Sequence, residues 1–157
     1  MEYKIRKLDK TEYNVLEDFL YEAIFIPEGV EAPPREIINQ PELQVYIAGF
    51  GTQEGDTAVC AEGDGKIVGA AWARIMNDYG HIDDGTPSIA ISLYKKNRGK
   101  GMGTELLKAL LSELKSKGYR QVSLAVQKEN YAVRMYKKSG FVTVDENEQE
   151  YIMLCTL

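Results

Sequence analysis

The sequence is poor in the residues that most often carry chemistry, with one histidine, two cysteines and one tryptophan in 157 residues. One histidine and two cysteines do not supply a zinc ligand set, so no metal is expected. Cys60 and Cys155 lie far apart in strand-like runs and read as buried free thiols rather than a disulfide. No G-x-S-x-G turn occurs, which removes one common class of hydrolase. No apolar run reaches membrane-spanning length and Met1-Glu2-Tyr3-Lys4 opens no signal h-region, so the expectation is a cytoplasmic protein with no membrane partner. Cations are also short: 19 Lys and Arg stand against 24 Asp and Glu, a formal net charge of −5. That balance argues against a nucleic-acid partner, which requires a basic face. It suits a cationic one, such as an amine.

What is present is an ordinary globular composition, 44% hydrophobic and 27% charged, of a size expected for one domain over 1–157. Tyr3 to Leu8 alternates as an opening strand. Tyr13, Leu16, Phe19, Leu20, Ala23 and Ile24 recur at helical spacing, with Asp9 or Thr11 as cap and Pro27-Glu28-Gly29 as stop. Pro33-Pro34 opens a second helix through Ile38, interrupted by Pro41, and Leu43 to Ile47 reads as a further helical turn or two ending at Gly49. Thr57–Ala61 and Lys66–Met76 form a hairpin around Asp64-Gly65, a type I′ pair. A polar, turn-rich stretch from Asn77 to Pro87 leads to an apolar strand, Ser88 to Tyr94. Gly103 to Lys117 is a helix with one leucine stripe, closed by Lys115, Lys117 and Gly118. Val122–Val126 is a strand, Asn130 caps a short helix from Tyr131 to Ser139, and Phe141–Val144 with Glu150–Thr156 closes the chain as a hairpin across Glu146-Asn147.

Between the strand at Ser88–Tyr94 and the leucine-striped helix stand Arg98, Gly99, Lys100, Gly101, Met102 and Gly103. A strand, a glycine turn and a helix start make an anion site, because glycine lets several N–H groups approach one phosphate and the helix dipole favours negative charge there. Arg98 and Lys100 add formal charge. The P-loop pattern fails, since Lys100 is followed by Gly101 rather than Ser or Thr. The dinucleotide pattern fails by one residue at Thr104, and no Asp or Glu occurs from Gly118 to Gln127 to hold a ribose. The pattern that does match is R-x-x-G-x-G, spelled by Arg98, Gly101 and Gly103.

That pattern resembles the acetyl-CoA pyrophosphate loop of the GNAT family of N-acetyltransferases. A second motif strengthens the resemblance: after the strand Val122–Val126 come Asn130, then Tyr136 six residues later, then Gly140-Phe141, in the order and on the elements the family uses. The likeness extends over nearly the whole chain, least between Phe25 and Asp56. It implies an α/β fold with a mixed central sheet splayed at the cofactor site and helices on both faces. The splay would fall between Ser88–Tyr94 and Val122–Val126, with pantetheine slotted into the gap like an extra strand.

By that resemblance Leu93 and Tyr94 offer backbone bonds to pantetheine. Backbone groups from Gly99, Lys100, Gly101, Met102, Gly103 and Thr104, beside Arg98, cradle the pyrophosphate. Asn130 bonds the pantetheine side or simply caps its helix, two compatible roles. The implied reaction is direct attack of an amine on the thioester of acetyl-CoA, with Tyr136 protonating the departing thiolate. The alternative for Tyr136 is a core tyrosine, because Ala132, Val133 and Tyr136 share a helix face. Many members carry a Glu early in the strand before the glycine loop; Ser88-Ile89-Ala90-Ile91-Ser92 has no acid, which leaves the base open among His81, Asp83, Asp84, Glu22, Glu28 and water alone. The acceptor wall is expected at Phe25–Gly29 and Trp72–Tyr79. The acceptor is a small-molecule or peptide amine. Two other readings stay open: a non-catalytic CoA-binding regulatory domain, and a structural α/β domain with an unused loop. Oligomeric state is not encoded, and a homodimer is open.

Overall fold

The computed structural model describes residues 2–157. One sheet runs through it in the order β1-β2-β3-β4-β5-β7-β6, from β1 (Tyr3–Lys7), β2 (Thr57–Gly63), β3 (Lys66–Arg74), β4 (Ser88–Leu93), β5 (Gln121–Gln127), β6 (Val142–Glu146) and β7 (Glu150–Thr156). Every neighbouring pair is antiparallel except β4 and β5, which run parallel. Asp64 (φ 52) and Gly65 (φ 78) turn the β2–β3 hairpin, both with the positive φ that a type I′ turn requires.

The helices divide over the two faces. On one, α3 (Met102–Ser116) buries Met102, Leu106, Leu107, Leu110 and Leu114 against Val59, Ala71, Ile89, Val122 and Leu124, and α4 (Ala132–Lys138) adds Val133 and Tyr136. On the other, α1 (Leu16–Glu22) buries Leu16, Phe19 and Leu20 against Ala58, Cys60, Ala70 and Trp72. The central strands β2 and β3 are buried on both sides, so β3 reads as an almost unbroken apolar run rather than an alternation. No helix among the described residues is long and apolar enough to cross a membrane.

Element boundaries differ from expectation where a specific contact overrides the pattern. Asp9 caps the first helical stretch, accepting from the Thr11 N–H while Glu12 accepts from the Asp9 N–H, but Lys10–Val15 is wound as a 3₁₀ turn before α1. The expected second helix is a 3₁₀ turn, Arg35–Asn39, followed by a four-residue helix α2 (Pro41–Gln44). Pro41 holds Gln40 extended (ψ 140), which separates the two. Phe141 is buried on the Tyr136 ring, centroids 5.5 Å apart, so β6 begins one residue later. Lys117 does not serve the end of α3; its Nζ donates to Thr57 Oγ1 (2.6 Å) and to the Asp56 carbonyl (3.2 Å).

The segment between α2 and β2 carries little regular structure, and a buried ion pair ties it down. Arg74 donates from Nε and Nη2 to the two Asp56 oxygens, each at 2.9 Å, and the two side chains are 2% and 1% exposed. Nη1 of Arg74 donates to the carbonyls of Val45 (3.2 Å) and Ala48 (2.6 Å), while the N–H groups of Gly51 and Gln53 donate to Asp56. The ion pair thus folds residues 45–56 over the end of β3. Burial works to raise the Asp56 carboxyl, but Arg74 and the two N–H groups outweigh it and hold it below the usual carboxylate range. A depressed folded value contributes stability above the ordinary carboxylate pKa and loses it as pH falls through the folded value. Asp56→Ala, which strands a buried guanidinium, is expected to cost about 3–5 kcal/mol in denaturant unfolding. Asp56→Asn should flatten the loss of thermal stability expected of the parent protein below pH ~4.

Candidate functional site

Strands β4 and β5 form a single bridge, Ser88 with Ser123, reinforced by the Ser123 N–H donating to the Pro87 carbonyl at 3.0 Å. Beyond it they diverge. On its other edge β4 is fully paired with β3 from Arg74/Ser88 to Gly69/Leu93. Tyr94 continues that ladder, its N–H donating to Val68 (3.0 Å). Backbone groups alternate sides along a strand. Ser88, Ala90, Ser92 and Tyr94 therefore turn theirs to β3, and Ile89, Ile91 and Leu93 turn theirs to β5. Past the bridge, Ile91 and Leu93 have no β5 partner in the sheet register and face the open gap.

This geometry divides the two residues expected to meet an arm in that gap. Leu93 faces it. Tyr94 does not: its N–H is bonded to Val68, its carbonyl accepts from the Asn97 N–H (2.8 Å), and its hydroxyl donates to Asp18 (3.0 Å). Strand alternation, with β3 already the partner at residue 94, is the reason.

The gap opens at its far end onto the glycine turn. Gly99 (φ 77) and Gly101 (φ 85) adopt the left-handed conformation that side chains resist, and a Cβ added at either would meet nothing within 4 Å. The glycines are there for backbone shape, and the space in front of the turn is open. The Glu105 N–H bonds the Gly101 carbonyl (3.3 Å), so Met102, Gly103 and Thr104 carry the leading N–H groups of a 15-residue helix. Lys100 is exposed. Arg98 acts differently from a free charge: Nε donates to the Leu93 carbonyl (3.0 Å) and Nη2 to the Glu22 carbonyl (3.1 Å), with Glu22 Oε1 at 3.4 Å. It staples the end of β4 to the end of α1. Beside the turn, a groove of about 440 Å³ between α3 and α4 is lined by Thr104, Lys108, Met135 and Lys138 among others.

On the α4 side, Asn130 accepts from the Ala132 N–H through Oδ1 (2.9 Å), the helix-cap role, and its Nδ2 approaches Gln127 Oε1 at 3.3 Å. Tyr136 is 7% exposed, and burial alone pushes its hydroxyl up, so it stays protonated through the physiological range.

The loop between β3 and β4 covers the root of the gap on the face opposite α3. Gly80 lies on β5: a Cβ there would stand 3.0 Å from the Ala125 nitrogen and 3.1 Å from the Leu124 carbonyl carbon, and Ser123 Oγ donates to the Gly80 carbonyl (2.7 Å). Trp72, expected as acceptor wall or core, is core, 0% exposed with Nε1 donating to the Tyr46 carbonyl. The acids named from sequence are engaged elsewhere or lie outside. Asp83 accepts from Gly85 and Thr86 in its own turn, Asp84 is at the surface beside His81, Glu22 faces Arg98, and Glu28 is exposed. The acid that does reach the root is Asp78, which no sequence signal separated from its neighbours in the same polar loop. Gly80→Ala is expected to lift this loop from β5 and lower the melting temperature, an effect of close approach alone because residue 80 has no positive φ. A variant as stable as the parent would contradict that seating.

A family model described as the acetyltransferase (GNAT) domain matches residues 21–154. Mycothiol acetyltransferase of Streptosporangium roseum is 32% identical over 82 residues, 51% of this chain and 24% of that protein. The chain therefore spans about a quarter of that curated relative's length. Among solved structures, the PaiA N-acetyltransferase of Thermoplasma acidophilum in complex with coenzyme A is similar over 100% of both chains, with a TM-score of 0.73 and 20% identity. YncA, a putative acetyltransferase of Salmonella typhimurium with its cofactor acetyl-CoA, is similar over 100% of this chain and 95% of its own, with a TM-score of 0.72 and 17% identity. At these identities the structural likeness speaks to fold.

Proposed function

The chain belongs to the GNAT acetyltransferases, and on that premise we propose that it transfers the acetyl group of acetyl-CoA to a primary amine of a small molecule or peptide. The observation that carries the reading is the open gap between β4 and β5 ending on a glycine turn and a helix N-terminus. An elongated molecule with an anionic end and a strand-like arm fits that combination. The leading N–H groups of α3 and the left-handed glycines suit a pyrophosphate. The gap-facing backbone of Ile91 and Leu93 suits an amide-bearing arm, with Asn130 on the opposite side. Arg98 orients the turn, and Lys108 and Lys138 border the groove where further phosphate would lie.

The chemistry asks little beyond placement. The amine must be neutral to attack, and the thiolate must be protonated as it leaves. Tyr136 suits the second task because burial keeps its hydroxyl protonated. The net charge of −5 supports an acceptor that arrives as an ammonium. A screen of small amines and short peptides for thiol release from acetyl-CoA tests the reading; no release with any of them, in protein that binds CoA, would count against it.

Gly101→Asp introduces a side chain at φ 85 and an anion against the phosphate site. The acetyl-CoA Kd by calorimetry should rise at least tenfold, about 1.4 kcal/mol, with the circular dichroism spectrum unchanged. Tyr136→Phe keeps the ring on Phe141 and removes the hydroxyl. With the hydroxyl as acid, kcat should fall by about 10²–10⁴ while acetyl-CoA affinity and melting temperature hold; full turnover at saturating acceptor would make Tyr136 a core residue only.

A further inference from the structure

Asp78 is held in the loop before β4 by hydroxyl groups rather than by a cation. Its Oδ1 accepts from Ser88 Oγ (2.9 Å) and its Oδ2 from the Tyr46 hydroxyl (3.1 Å). Both donors are neutral. Among the described residues Asp78 has no ion pair, whereas Asp18, Asp56 and Asp84 face Arg35, Arg74 and His81. A half-buried carboxylate without a cation is costly to hold. Two hydrogen bonds use two of about four acceptor positions on its oxygens, so it can receive another donor.

Its place in the sheet is specific. Ser88 is the residue at which β4 and β5 close, and Gly80, seated on the Leu124–Ala125 peptide, brings Asp78 Oδ2 to 3.4 Å from where a Cβ at residue 80 would lie. Asp78 thus lies over the closed root of the gap, against both strands, on the face away from α3. From Leu93 back to Ser88 is five residues, about 17 Å of strand. An arm entering at the glycine turn and running along that stretch brings its far end to this root. The groups facing Asp78 are Tyr46, Ser88 and the backbone of His81, whose N–H donates to the Asp78 carbonyl (3.1 Å). The charge of Glu150, at the start of β7, also reaches Tyr46. The surroundings are anionic and hydroxylic, which suits an ammonium.

We propose that Asp78 is the base of the transfer reaction, taking the proton of the incoming ammonium, and that Ser88 and Tyr46 position it. The inference rests on the acetyltransferase reading above. One ammonium proton passes to the Asp78 carboxylate. The freed lone pair on nitrogen forms the bond to the thioester carbonyl carbon, and the carbon–sulfur bond breaks with its pair on sulfur. The thiolate takes a proton through Tyr136, and the nitrogen's second proton, lost as the amide forms, restores the Tyr136 hydroxyl. Asp78 then releases its proton to water. No oxidant, reductant or metal enters the balance.

The test uses the full chain and an aliphatic primary amine taken from the acceptor screen. Asp78→Asn keeps the shape and an acceptor oxygen. Its kcat should fall by about 10²–10⁴ with the acetyl-CoA Kd and the melting temperature unchanged. Ser88→Ala and Tyr46→Phe leave the carboxylate but remove one of its tethers, and each should lower kcat about tenfold with the acetyl-CoA KM unchanged, one tether being worth about 1.4 kcal/mol of positioning. Parental kcat in folded Asp78→Asn overturns the assignment while leaving the acetyltransferase reading intact. If Asp78→Asn fails to fold, the two tether variants decide, and parental kcat in both overturns it. A parent protein that binds CoA but acetylates no amine removes the reading and this inference together.

Discussion

The single parallel bridge between Ser88 and Ser123 is the constraint on which the architecture turns. A sheet satisfies backbone groups by pairing them, and buried strands seldom leave an edge unpaired. Here β4 is fully paired on one side and open on the other within a few residues of the bridge. The two halves, β1 to β4 and β5 to β7, are each antiparallel and hold together by their own ladders. The split therefore needs support at its two ends, and the structure supplies it. At the closed end Ser123 bonds Pro87 and Gly80. At the open end Arg98 ties Leu93 to α1, while α3 packs beneath both halves through Ile89, Leu93 and Val122.

The two faces divide the labour. The face under α3 is a continuous apolar core that holds the halves in register. The opposite face is built from short pieces: the seven-residue α1, two 3₁₀ turns, the four-residue α2 and two loops. Such a layer has few regular backbone ladders, so its order comes from point contacts. The Arg74–Asp56 pair gathers the carbonyls of Val45 and Ala48 and the N–H groups of Gly51 and Gln53 onto β3. That anchoring fixes the approach of Tyr46, which sits between Val45 and Ala48: its hydroxyl donates to Asp78, and its carbonyl accepts from Trp72 Nε1 on the sheet below. A buried ion pair distant from the gap thereby helps to aim the hydroxyl that holds a carboxylate over it.

The parts of this arrangement carried by local patterns were readable from residue order. The leucine stripe of α3, the Asp64-Gly65 turn and the glycine turn all depend on spacing within a dozen residues, and each lies where its pattern put it. The mixed sheet and its splay between β4 and β5 were implied by the family resemblance; the strand order came from the structure. Less was readable in residues 25–56, where prolines break helical periodicity and the anchoring comes from Arg74, 18 positions beyond Asp56. No local pattern announces that pair.

The same distinction holds at the site. Gly99, Gly101, the start of α3 and the Asn130 cap could be named because backbone shape and helix ends depend on near neighbours in the chain, whereas Tyr136 was named by the family resemblance alone. Which strand edge Tyr94 serves, what Arg98 grips, and which of the acids in the loop before β4 stands over the gap could not. Those outcomes depend on strand alternation counted from a partner, β3, some 25 residues away, and on contacts between Tyr46, Asp78 and Ser88 that only folding brings within 3.1 Å. Spacing along the chain sets helices, turns and the anion-ready loop; distance in space, which the sheet's pairing creates, selects the carboxylate.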